Sequence, residues 1–91
     1  MVEPTPVLRR NPDAISERLG DETVVLEPEQ DLYVRLNATG TRLWEALAEP
    51  ASAERLAEVL AADFGLTPER ALSDVDAFVE ALVRRGLVTP A

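Results

Sequence analysis

The side chains that most often make and break bonds in proteins are missing from this chain. Its 91 residues include no His, no Cys and no Lys, so the usual general base, thiolate nucleophile and Schiff-base amine are absent. Ser16, Ser52 and Ser73 carry hydroxyls, but no His is available to activate them. Asp74 and Asp76 are paired carboxylates in sequence only, because positions two apart on a helix point to different sides. Zinc sites are rarely built from carboxylates alone. Gly20, Gly40, Gly65 and Gly86 are too scattered for a phosphate-cradling loop. No catalytic residue, metal or cofactor is therefore expected, and the chain reads as a binding module rather than an enzyme.

Charge narrows the partner. Seventeen acidic residues face nine basic ones, all of them Arg, for a net charge of -8. Binding a duplex requires a basic face to displace counterions from phosphates, so nucleic acid is not an expected partner. An acidic surface keeps a small protein soluble; as a functional feature it would favour a partner segment with complementary basic residues. Hydrophobic residues make up 46% and charged residues 29%, the composition of one folded domain. No apolar run approaches the roughly 20 residues that span a bilayer. Met1-Val2-Glu3-Pro4 lacks the basic and apolar regions of a secretory signal, and the absence of Cys gives no sign of an oxidising compartment. A cytoplasmic protein without a membrane partner is expected.

The elements that would position a binding site follow from punctuation and period. Pro4, Pro6 and Pro12 mark residues 1–13 as an extended arm, which Val7 and Leu8 could pin to a single domain at 14–91. Ala14 to Leu19 is a strand candidate closed by Gly20-Asp21. Thr23-Val24-Val25-Leu26 and Leu32-Tyr33-Val34-Arg35-Leu36, separated by the turn-like Pro28-Glu29-Gln30-Asp31, predict a hairpin. Alternation puts Leu32, Val34 and Leu36 on one face of the last strand, and Tyr33 and Arg35 on the other. After Asn37 the period lengthens to that of a helix. Asn37, Thr39 or Thr41 can cap a first helix with Leu43, Trp44 and Leu47, ended by Pro50. Ser52 caps a second, with Leu56, Val59 and Leu60 inward and Gly65 as its stop. Thr67-Pro68-Glu69 opens a third that runs to Arg85, with Gly86 beyond it.

The third helix is apolar over more than one buried face needs: Ala71, Leu72, Val75, Phe78, Val79, Leu82 and Val83 form a wide stripe. It fits a helix buried deeply, or one that packs on the core with one flank and lines a groove with the other. Three strands cannot close a barrel, so the sheet keeps edges. The expected fold is α+β and winged helix-turn-helix-like, a three-stranded antiparallel sheet followed by three helices. An open edge beside an apolar helix would suit an extended peptide.

Leu36-Asn37-Ala38-Thr39-Gly40 followed by Leu43-Trp44-Glu45-Ala46-Leu47 resembles the first-helix signature of PqqD-like proteins. The Leu56 and Leu60 helix, Phe64-Gly65, Asp74-Val75-Asp76-Ala77-Phe78 and Arg85-Gly86-Leu87-Val88 continue the likeness across roughly residues 22–88. The resemblance implies a precursor-peptide recognition element for ribosomally synthesised, post-translationally modified peptides. Such a domain binds a precursor's leader as an added strand between its third strand and third helix. Tyr33 and the Trp44 helix are most similar to the stand-alone recognition proteins of lasso-peptide pathways, which implies a separate leader peptidase, or another maturation enzyme, as second partner. A peptide chaperone for a radical SAM enzyme, as in pyrroloquinoline quinone synthesis, is the neighbouring alternative.

On this resemblance the peptide-binding residues are Leu32, Tyr33, Val34, Arg35 and Leu36 from the strand, and Asp74, Val75, Phe78 and Leu82 from the helix. Phe78 and Leu82 equally fit core packing. Val34 and Leu36 would contribute backbone groups, Tyr33 an apolar ring with a polar tip, and Arg35 and Asp74 a charged anchor. Trp44 fits the core. Asn37-Ala38-Thr39 matches a glycosylation acceptor, but a capping role suits it better. Three competing readings remain: a winged-helix regulator, opposed by the charge; an acidic subunit that activates an enzyme without touching a peptide; and a hydrolase, which lacks a base.

Overall fold

The computed structural model describes residues 7–90. In it β2 (Ile15–Leu19), β3 (Glu22–Glu27) and β4 (Leu32–Leu36) form an antiparallel meander in that order; β1 (Val7–Arg10) precedes them. The register sets Val25 opposite Val34 and Thr23 opposite Leu36 on the inner face, with Leu26 opposite Tyr33 on the outer one. The β3–β4 connection is a short 3-10 turn, Pro28–Gln30, capped by the buried Glu27, whose carboxylate accepts the Gln30 N–H at 2.7 Å.

Three helices cover the inner face. α1 (Ala38–Ala46) starts from Asn37, whose side chain accepts the Gly40 N–H at 2.9 Å; of the three candidate caps, this is the one used. α2 (Ala53–Phe64) is capped by Ser52 and α3 (Pro68–Arg84) by Thr67, and Gly65 closes α2. Leu56, Leu60, Val75 and Leu87 are wholly buried between these layers. Trp44 is buried as well. The α+β, winged-helix-like architecture expected from the sequence is the one observed. No helix among the described residues is long and apolar enough to cross a membrane.

A second sheet was not legible in the sequence. β1 pairs with β5 (Ala51–Ser52) on one side and with β6 (Val88–Pro90) on the other, both antiparallel. Residues 1–6 of the expected arm lie outside the described residues; Val7–Arg10 is the central strand of this sheet. Strands of two and three residues are too short to show alternation, and Pro50 and Pro90 beside or within them read as breakers. Arg10 tightens the same corner. Its guanidinium lies 4.5 Å from the Trp44 ring centroid and donates to the Trp44 carbonyl through Nε at 3.0 Å and through Nη2. Burial pulls the Arg10 pKa below the usual guanidinium range, and Glu45 partly opposes that shift. Asn11 donates from its backbone N–H to the Leu87 carbonyl and from its side chain to that of Gly86.

Candidate functional site

Among the described residues, β4 has a paired neighbour on one side only. An edge strand turns the N–H and C=O of alternate residues outward, where they can pair with another chain. Across that edge lies α3, and between the two runs a groove of about 680 Å³. Of the residues singled out in the sequence, Val34, Arg35, Leu36, Asp74, Phe78 and Leu82 line it. Leu32, Tyr33 and Val75 do not. Leu32 is half-buried at the start of the strand, Val75 is wholly buried beneath the groove, and Tyr33 stands on the outer face with 70% of its surface exposed.

Tyr33 is not isolated there. The register places it beside Leu26, which in turn is opposite Ile15, so the three make one row across the sheet. Ile15 and Tyr33 are both largely exposed. A strand added to β4 would have its outward side chains next to Tyr33 and its inward ones in the groove, because successive residues alternate between faces.

The sequence missed the groove's other wall. Asn37, Thr39, Gly40 and Leu43 line it from the start of α1. A Cβ at Gly40 would come within 3.3 Å of both Asn37 Oδ1 and Leu36 Cβ, so a bare Gly lets the cap close against the end of β4. From α3 come Ala77 and Ala81, with Arg70 and Arg85 at the ends. Of the wide apolar stripe, only Phe78 and Leu82 line the groove. Leu72, Val79 and Val83 do not line the groove, and Leu72 and Val83 remain exposed. At about 100° per residue they lie opposite Ala77 and Ala81 on the helix. The trough exists because two short Ala side chains face β4. A search for large apolar residues passes over such positions; the signal was the Arg70, Asp74, Ala77, Ala81, Arg85 spacing of three and four.

Charge at the groove differs from charge on the whole chain. Arg35, Arg70 and Arg85 line it against the single acid Asp74. Arg35 is paired with Glu22 at 2.5 Å, and Arg70 with Asp74 at 3.4 Å. These pairs are largely exposed and worth about 0–1 kcal/mol each, so either can exchange partners at little cost.

The architecture is shared with known proteins. A solved chain described as TbiB1 in complex with the TbiA(beta) leader peptide superposes with a TM-score of 0.81 at 25% sequence identity, covering 88% of this chain and 93% of the other. A second, described as lasso peptide synthetase B1 complexed with the leader peptide, gives a TM-score of 0.76 at 22% identity, over 91% of this chain and 98% of that one; at that identity it shows likeness of fold alone. No curated protein matches the chain. Residues 22–88 match the family model described as coenzyme PQQ synthesis protein D (PqqD), and with most of its length so matched this chain belongs to the PqqD family.

Proposed function

We propose that this protein is a non-catalytic recognition element that captures the leader of a ribosomally made precursor as a fourth strand on β4 and presents it to separate maturation enzymes. One observation carries this reading: the edge of β4, unpaired among the described residues, runs along the groove in front of α3. Main-chain hydrogen bonds along a five-residue edge supply affinity at about 0.5–1.5 kcal/mol each. Inward side chains of the added strand fill the trough over Ala77, Ala81 and Phe78, each square ångström of apolar surface removed from water adding about 25 cal/mol. TbiB1, of the same fold, is described in complex with a leader peptide.

The enzyme served is a leader peptidase of a lasso-peptide pathway, with the radical SAM partner of quinone-cofactor synthesis as the second reading; the similarity of Tyr33 and the Trp44 helix to the stand-alone recognition proteins of lasso-peptide pathways favours the first. No bond changes in the recognition element. Its contribution is effective concentration, since a tethered precursor meets the enzyme as an intramolecular neighbour. The site belongs in the cytoplasm, where precursors are made.

The test is titration of the purified protein with a labelled leader peptide from the precursor encoded beside it, followed by amide NMR. Saturation with shifts concentrated at residues 32–36 and 74–85 is expected. Saturation with shifts elsewhere would keep the function and refute the groove. No binding at high micromolar peptide would overturn peptide capture and favour an enzyme-activating subunit.

A further inference from the structure

Resting on the strand-capture reading, we infer that Arg85 forms a carboxylate-binding subsite at one end of the groove, so that the captured segment carries Asp or Glu where it passes the C-terminal end of α3. The chain as a whole is strongly acidic, which taken alone favours a basic partner. The groove lining reverses that, with three Arg against one Asp. Two of those Arg already face carboxylates, Glu22 and Asp74. Arg85 has no carboxylate partner among the described residues; its hydrogen bond is from Nη1 to the Ala81 carbonyl at 3.0 Å. A guanidinium has five N–H donors in a planar fork, so most of its donor capacity is unused.

Its place in the fold fixes where the acid must lie. Gly86, with φ of 73°, ends the helix, and a Cβ built there would sit 3.4 Å from the Gln30 side-chain nitrogen. This end of α3 therefore meets the turn that leads into Leu32, while Arg70 and Asp74, a helix length away, share the groove with Asn37 and Thr39. A strand continuing the antiparallel sheet would start near Leu36 and reach Arg85 with its C-terminal part. A carboxylate there gains a charge-assisted, potentially bidentate pair. A Lys or Arg would meet an unneutralised cation instead, so the same residue selects and rejects.

The probe is an mRNA-displayed library of random extended dodecapeptides, selected on the full chain and on Arg85→Gln, Arg85→Glu and Arg85→Lys variants, each checked for native thermal unfolding. On the unaltered protein, Asp and Glu should enrich at one fixed offset from the apolar anchor positions. That preference should vanish on Arg85→Gln, invert to Lys and Arg on Arg85→Glu, and survive on Arg85→Lys. A selected acidic peptide should bind Arg85→Gln about tenfold more weakly, as loss of one charge-assisted hydrogen bond implies. Apolar peptides enriched with no acid at a fixed offset would overturn the subsite while leaving strand capture intact. An acid preference unchanged in Arg85→Gln and Arg85→Glu would do the same. No enrichment on any form would overturn both. A merely structural Arg85 at the helix end would lower the unfolding temperature without moving the selected sequence.

Discussion

Two three-stranded antiparallel sheets in one small domain do opposite work. In the sheet ordered β5-β1-β6, the central strand comes from near the N-terminus and its partners are two and three residues long. That sheet closes the molecule: Leu8 is buried in it, and Arg10 and Asn11 tie the chain's beginning to Trp44, Gly86 and Leu87. In the sheet ordered β2-β3-β4, the strands are five and six residues long and the last is left with a free edge beside a trough. Short edges offer little to pair with, whereas a long free edge is a template. On the strand-capture proposal, this difference would give fold stability to the first sheet and recognition to the second.

The largest test of that division is Leu8→Ala. Truncating a buried Leu costs about 2–5 kcal/mol, so urea unfolding should show a midpoint shift of that size. Peptide affinity, measured well below the transition, should stay within twofold. A matching fall in affinity would mean that the closing sheet also shapes the edge.

Backbone capture is broken next, from the ligand side. Two copies of a bound peptide, N-methylated at complementary alternate residues, should separate in fluorescence anisotropy. The copy that loses the donors facing β4 should bind at least tenfold more weakly, at about 1 kcal/mol for each lost bond. The other should keep its affinity. Equal losses in both would exclude strand addition to this edge.

Phe78 sits where the two roles meet, since it belongs to the core and also lines the groove. Phe78→Leu should cost about 1 kcal/mol in chemical denaturation, as shape changes in packed cores do, and weaken peptide binding about fivefold. An affinity loss without a stability loss would place the ring in the groove alone. Asn37→Ala removes the α1 cap and should lower stability by about 1 kcal/mol, read from thermal unfolding. Because Asn37 also lines the groove, a small affinity loss should accompany it. Tyr33→Ser is the smallest: stability within about 0.5 kcal/mol, as for exposed positions generally, and affinity down by no more than about threefold. A larger effect confined to turnover by a maturation enzyme would assign the Ile15–Leu26–Tyr33 row to that enzyme instead of the leader.

What the sequence by itself determined was local. Asn37, Ser52 and Thr67 announce their helices because a cap acts on amides only two or three residues away. Thr23 to Leu26 and Leu32 to Leu36 announce the hairpin because a pleated strand exposes alternate residues to one face. The absence of His, Cys and Lys restricted the available chemistry. The site itself was only partly legible. Of the residues that the resemblance marked, Val34, Arg35, Leu36, Asp74, Phe78 and Leu82 line the groove, but Gly40, Ala77 and Ala81, which make its walls, were not among them. Small residues carry almost no pattern of their own, and their smallness acquires meaning only once β4 stands opposite α3. Tertiary structure alone decided three things: that Val7–Arg10 would find partners at Ala51–Ser52 and Val88–Pro90, that the exposed apolar flank of α3 would face away from the groove, and that Arg85 would be left at the groove's end without an acid partner among the described residues. Each depends on residues tens of positions apart meeting in space, which neither local propensity nor periodicity encodes.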